Sequence, residues 1–211
     1  MGGEEYREAR ARLVDGLERG DRLTDERVAE ALRAVPRHEF VPEGHRGDAY
    51  ADRPLPIGGG QTISAPHMVG RMCELLNVEP GDRALEVGTG CGYHAAVTAE
   101  LGAEVYSVEY DPALAEAARD RLARLGYGLH LRQGDGREGW PEHAPYDAAY
   151  LTCAADAIPE PVVEQVRPGG RLLAPVRDDC GQDLVLATRR EDGPLDRESH
   201  GGVRFVEMRG D

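Results

Sequence analysis

The stretch Ala84-Leu85-Glu86-Val87-Gly88-Thr89-Gly90-Cys91-Gly92-Tyr93 limits what this chain can fold into more than any other. An apolar run closes on an acid, three glycines follow at alternate positions, and an alanine-rich helical pattern begins at His94. This order predicts a buried strand, a tight turn and a helix N-terminus. Glycine permits positive φ and lets a ligand approach the backbone without a Cβ in the way. The helix start offers free N–H groups and the positive end of the helix dipole. Such a unit opens a nucleotide-type α/β sheet.

The spacing narrows the ligand. A dinucleotide site reads G-x-G-x-x-G, whereas Gly88, Gly90 and Gly92 give G-x-G-x-G. No Lys-Ser or Lys-Thr follows, which excludes a phosphate loop. Glu86, just ahead of the turn, would repel a pyrophosphate and suits a cation bearing an ammonium and a sulfonium. A second acid, Glu109, closes the next apolar run, 23 residues after Glu86. An acid about 20 residues on is where a ribose diol is held. Glycines and acids together resemble motif I and the following acidic motif of S-adenosylmethionine-dependent methyltransferases.

The rest of the chain fits one α/β unit with a helical preamble. Glu5–Leu17 carries Ala9, Leu13 and Leu17 on one helical stripe, and Arg27–Val35 follows with Thr24 as its expected N-cap. Residues 36–60 show little periodicity and are expected as a long functional loop. A helix is expected over Ala65–Asn77, with Ser64 as N-cap and Pro66 in its first turn. Strands are expected at Ala84–Val87, Glu104–Val108, Leu129–Arg132, Asp147–Thr152 and Leu172–Val176, with helices between most of them. Leu184–Thr188 and Gly202–Glu207 have no helix between them and are expected as an antiparallel closing pair. Regular βαβ alternation gives a parallel sheet covered on both faces, with ligands at the C-terminal strand ends.

Composition sets outer bounds. The 211 residues carry a net charge of −14, which argues against nucleic acid or an anionic membrane as partner. All 25 basic residues are arginine, and with the acidic surplus this suits a high-salt cytosol that screens self-repulsion. No apolar run reaches the length of a membrane span, and the N-terminus has no signal-peptide core, so a cytoplasmic protein is expected. Cys73, Cys91, Cys153 and Cys180 are scattered, without metal-ligand or disulfide spacing.

From Val35 onward the chain resembles the protein-L-isoaspartate O-methyltransferases. The resemblance rests on Val35–Pro42, Tyr50–Ile57, Gly60-Gln61-Thr62-Ile63-Ser64-Ala65-Pro66-His67, the glycine motif, Gly134-Asp135-Gly136, Arg167-Pro168-Gly169-Gly170-Arg171 and Gly202–Val206. Gln-Thr-Ile-Ser before a helix separates this family from other methyltransferases. The resemblance implies a doubly wound, mostly parallel α/β sheet of the Rossmann-like S-adenosylmethionine methyltransferase type, with N-terminal helices and an antiparallel C-terminal strand pair. Residues 1–60 are expected as an extension packed on a methyltransferase domain of residues 61–211. The implied reaction moves methyl from S-adenosylmethionine to the free α-carboxylate of L-isoaspartyl residues in damaged proteins. The implied product is S-adenosylhomocysteine, and the implied enzyme is a monomer with no metal.

The implied roles fall on these positions. Thr62, Ile63, His67, Glu86, Gly88, Thr89, Gly90, Gly92, Glu109, Tyr110, Asp135 and Gly136 hold the cofactor, Glu109 at the ribose and Asp135 with Gly136 at the adenine. Ser64 is the catalytic position, orienting the acceptor carboxylate rather than attacking. Ile57, Ser64, Val203, Arg204 and Phe205 meet the substrate, the backbone around Val203–Phe205 pairing with an extended peptide. Two residues depart from the family pattern. Asp156 interrupts an alanine run that leads into proline, and Glu207 stands where proline is usual. A methyltransferase acting on another carboxylate, a biosynthetic peptide or a small molecule stays open, as does a catalytically silent cofactor- or partner-binding module.

Overall fold

The computed structural model describes residues 2–191 and 195–210. Two helices open it, α1 (Gly3–Arg19) and α2 (Glu26–Ala34). A short ribbon of β1 (Leu55–Gly58) and β2 (Gln61–Ile63) leads into α3 (Pro66–Leu76). Alternation follows: β3 (Arg83–Val87), α4 (Tyr93–Glu100), β4 (Glu104–Glu109), α5 (Pro112–Arg124), β5 (His130–Gln133), β6 (Tyr146–Leu151), α6 (Glu160–Gln165) and β7 (Val166–Asp178). The antiparallel strands β8 (Gly181–Thr188) and β9 (Asp196–Val203) close the chain.

Seven strands form one sheet in the order β5-β4-β3-β6-β7-β8-β9, and the five from β5 to β7 run parallel to one another. The strand order reverses direction between β3 and β6. A crevice opens at such a switch point, at the C-terminal strand ends. The expected mostly parallel α/β fold, with its antiparallel C-terminal pair, is what the chain adopts.

β3 is buried on both faces because helices cover both. Leu85 and Val87 enter one core with Tyr106, Val108 and Leu151. Ala84 faces the other, with Ala95, Val105 and Tyr150. Fully burying a leucine such as Leu85 contributes roughly 1.5–3 kcal/mol. α2 packs on α1, α3 and α4. α1 buries Val14 and Leu17, an i, i+3 pair, rather than the stripe through Ala9 and Leu13.

Three local expectations are corrected. Asp25, not Thr24, caps α2, its carboxylate accepting from the Arg27 N–H at 2.8 Å. Ala65 occupies the N-cap position of α3 without a side-chain bond, so Ser64 does not cap that helix. The last strand is Asp196–Val203; residues 204–206 lie beyond it, and Glu207 forms only an isolated bridge with Ala154.

The expected loop of residues 36–60 holds the turns Arg37–Glu39 and Glu43–Asp48 as well as β1. It is wound around Arg37, which is fully buried. Arg37 donates through Nε to the Ala49 carbonyl (2.9 Å) and through a terminal nitrogen to the Arg53 carbonyl (3.3 Å), and lies over the Tyr93 ring. A segment held by such long-range bonds has no periodicity to read.

Helix capping gives the first prediction. Asp25→Ala should lower stability in urea unfolding by about 1 kcal/mol, as cap removal does. Thr24→Ala should cost well under half of that. Equal costs would return the cap to Thr24.

Candidate active site

The turn from β3 to α4 passes through left-handed backbone at Gly88 (φ 97°) and Gly92 (φ 87°). A Cβ on Gly88 would lie 2.5 Å from Thr152 Oγ1, and one on Gly92 2.9 Å from Leu122 Cδ1. Both conformation and space therefore require glycine. The turn lays Gly88, Thr89 and Gly90 along a cleft of about 770 Å³ at the switch point.

Glu109 closes β4 beside this turn and is 8% exposed. One carboxylate oxygen accepts from the Gly90 N–H (2.7 Å), the other from the Asp111 N–H (2.9 Å). Each oxygen retains a lone pair for another donor. Tyr110 and Gly136 extend this wall. Thr62, Ile63 and Ser64 line the opposite wall, and Val206, Glu207, Met208 and Arg209 return from the C-terminal end to complete it.

The capping that sequence assigned to Ser64 is done from elsewhere. Asp52 Oδ1 accepts from the His67 backbone N–H (3.0 Å) in the first turn of α3, and from His67 Nδ1 (2.8 Å). Asp52 Oδ2 in turn accepts from Arg22 (2.7 Å). Among the described residues the Ser64 hydroxyl has no hydrogen-bond partner, although Ser64 lines the cleft. His67 is thus tied to Asp52 and is not on the cleft lining.

Glu86 is corrected most sharply. Alternation along β3 turns its side chain to the same face as Ala84, beneath the glycine turn, where it is fully buried. Ser107 Oγ bonds to Glu86 Oε2 and to Thr89 Oγ1, both at 2.5 Å, so a buried polar stack supports the turn from below. Burial pushes the Glu86 carboxyl up to about 8, and the proton stays on at neutral pH.

Other expected site residues fall around the cleft. Asp135 bonds the Arg137 N–H (2.9 Å) and pairs with the Arg137 guanidinium, which holds its carboxyl below the usual range. Its neighbour Gly136 lines the cleft while Asp135 does not. Ile57 sits against Gly90, 3.3 Å from where a Cβ would project. Val203 ends β9. Phe205 has both backbone groups bonded to the Gln182 side chain, so neither is open to a peptide. Arg204 is exposed. The two departures from the family pattern share one partner: Arg177 pairs with Asp156 (2.5 Å) and Glu207 (3.0 Å).

Several lining residues carry no sequence signal. His94 is 6% exposed, with Nε2 3.6 Å from Cys73 Sγ, and burial pushes its imidazole down to about 3, so it is neutral. Arg209 donates to the Gly59 carbonyl and lies 3.5 Å from Asp111 Oδ2. Met208 arrives because Ala154 pairs with Val206 and Met208. Periodicity near the terminus could not have placed it.

A switch-point cleft floored by a glycine turn, with an acid at the next strand end, defines a Rossmann-like S-adenosylmethionine-dependent methyltransferase. The chain belongs to the protein-L-isoaspartate(D-aspartate) O-methyltransferase family, whose model matches residues 8–211. It is 51% identical to protein-L-isoaspartate O-methyltransferase 2 of Archaeoglobus fulgidus over 98% of this chain and 95% of that protein. It is 50% identical to the protein-L-isoaspartate O-methyltransferase of Methanopyrus kandleri over 98% of this chain and 93% of the relative. A solved protein-L-isoaspartate O-methyltransferase superposes with a TM-score of 0.88 at 30% identity, covering 95% of this chain and 66% of that one.

Two predictions follow from the two acids. An unfolded carboxyl loses its proton near pH 4.5, but native Glu86 keeps it to about 8. Between those values the native state binds more protons, so this group's stabilisation is complete below 4.5 and fades as pH rises to 8. Glu86→Gln should flatten the fall in melting temperature across that window; an unchanged slope would show Glu86 already ionised. Glu109→Gln places an amide where two N–H donors point. Cofactor affinity in a calorimetric titration should fall at least about tenfold, the size of one charged hydrogen bond. An unchanged Kd would remove Glu109 from the ribose site.

Proposed function

We propose that this chain methylates the free α-carboxylate of L-isoaspartyl residues in damaged proteins or peptides. When bound, S-adenosylmethionine supplies an activated methyl on a sulfonium. The methyl ester then loses methanol as the next backbone nitrogen attacks it, and the succinimide formed reopens with water partly to normal aspartate.

The residues present fit such a cofactor. Glu109 sits beside the turn with lone pairs directed at the cleft, suited to ribose hydroxyls. Gly136 offers a flat wall for the base, its backbone close against Val87. Gly88 and Gly90 leave room for the amino-acid end.

The acceptor asks for little chemistry. An α-carboxyl has a pKa of about 3.5, so at neutral pH it is already the nucleophile and no general base is needed. What the protein must supply is alignment, which can be worth roughly 7–11 kcal/mol. The single observation that carries the assignment is the Ser64 hydroxyl: it lines the cleft, and Asp52 relieves it of the capping role. A hydroxyl so placed donates to the acceptor carboxylate and fixes its orientation. Thr62 and Ile63 hold the same wall. Asp52 keeps α3 and His67 in place behind Ser64. Residues 1–60 act as an extension on the methyltransferase domain of 61–211, with Asp52 and Ile57 as its contributions to the site. The −14 net charge supports a protein that works without nucleic acid or anionic membrane as partner, and we place it as a monomer in the cytoplasm.

Radiolabelled S-adenosylmethionine and two peptides, one with L-isoaspartate and one with normal L-aspartate, test this in dilute buffer and in molar KCl. Methyl should enter the isoaspartyl peptide alone. Ser64→Ala should lower kcat at least about tenfold while cofactor Kd stays within a few fold. No transfer in either salt, with cofactor bound, would move the acceptor to another carboxylate.

A further inference from the structure

β8 and β9 stay paired, through a register shift between Asp183 and Val185, as far as Gln182–Val203. One residue further, β8 has turned back, and Gly181 pairs with Asp178 across the hairpin from β7. Among the described residues no strand lies opposite Phe205 on that side. The Gln182 side chain takes the strand's place. Its Oε1 accepts from the Phe205 N–H (2.6 Å) and its Nε2 donates to the Phe205 carbonyl (3.1 Å). A carboxamide presents the same donor and acceptor as a peptide group, so the contact reproduces a hydrogen-bonded pair of an antiparallel ladder. Nε2 also lies 3.2 Å from Glu207 Oε1, on a carboxylate steadied by Arg177.

Successive residues of extended backbone turn their N–H and C=O to opposite sides. The chain obeys this here. Phe205 bonds to Gln182, while the Val206 carbonyl accepts from the Ala154 N–H (2.8 Å), beyond the end of β6. Arg204 shares the side of Val206, which lines the cleft. Among the described residues the backbone N–H and C=O of Arg204 have no partner, and the residue is exposed. An exposed, unpaired donor and acceptor on extended chain is a docking edge for another strand.

We propose that Gln182 is a positioning residue for the peptide substrate: by holding Phe205 in a ladder-like pair, it turns the main chain of Arg204 outward to dock an extended peptide beside the cleft. The role rests on the isoaspartyl function proposed above. Docking through one main-chain pair selects extended, unfolded sequence and is indifferent to flanking side chains, which suits damage that arises in many sequence contexts.

Gln182→Met keeps the length of the side chain and removes both hydrogen bonds to Phe205 together with the one to Glu207. Its KM for an isoaspartyl peptide should rise about tenfold, with kcat, cofactor Kd and melting temperature held within about twofold or a few degrees. A set of isoaspartyl peptides, each N-methylated at one flanking residue, supplies the readout that a general structural role would not move. In wild type one N-methyl position should raise KM; in Gln182→Met that extra penalty should vanish, because the partner carbonyl is no longer aimed. An unchanged KM, or KM and cofactor Kd rising together, overturns the role of Gln182 alone. A wild type that does not methylate the isoaspartyl peptide overturns the functional assignment and this role with it.

Discussion

The bond from the Gly90 N–H to Glu109 joins the turn after β3 to the end of β4, across 19 residues of sequence. Because the second oxygen of Glu109 holds the Asp111 N–H, the same carboxylate also fixes the entry to α5. Two strand ends and two helix starts thereby share one anion. Below it, Thr89, Ser107 and Glu86 link the turn to the buried centre of the sheet. A loop of three positive-φ glycines would otherwise carry considerable backbone freedom. Held from above and below, it is organised before any ligand arrives, and less ordering entropy is lost on binding.

The walls of the cleft come from parts of the chain that the parallel sheet does not itself position. Asp52 is fastened to the start of α3 and to Arg22, which brings Thr62–Ser64 over the glycine turn. From the other end, Ala154 holds Val206 and Met208, and Arg209 reaches the Gly59 carbonyl. Asp156 and Glu207 both lean on Arg177, so the two charges form one surface network. With Arg177 about half exposed and Asp156 more so, that network contributes little to stability. Its consequence is geometric: it sets the position of Glu207 on the cleft rim.

How much of this was legible depended on the range of the forces involved. The glycine turn, Glu109 and the alternation of strands with helices were legible because alternation, glycine spacing and acid spacing are local and periodic. Glu86 was recognised as buried-strand sequence but misread as ligand-facing. A one-residue difference in register decides between floor and core, and only the pairing with Ser107 reveals which. Ser64 looked like an N-cap because it precedes Pro66. The donor it would have satisfied goes instead to Asp52, 15 residues before His67. Asp135 was placed correctly at a strand end, but its carboxylate turns back on Arg137. Phe205 and the residues to Arg209 were the least legible. A side-chain amide standing in for a strand leaves no period in a sequence.

Two thiols, Cys91 and Cys153, line the cleft that would hold an activated methyl donor. A thiolate is a stronger nucleophile toward such a carbon than a carboxylate, so an ionised cysteine here would compete with the acceptor. Burial prevents this. It pushes Cys91 above the ordinary thiol range and Cys153 up to about 12, leaving both as unreactive thiols at neutral pH. The carboxylate of a peptide entering from the open side meets the opposite condition, since water keeps it ionised until it docks. The burial that builds the core under the turn therefore also decides which nucleophile in the cleft is charged, and the selection needs no catalytic base.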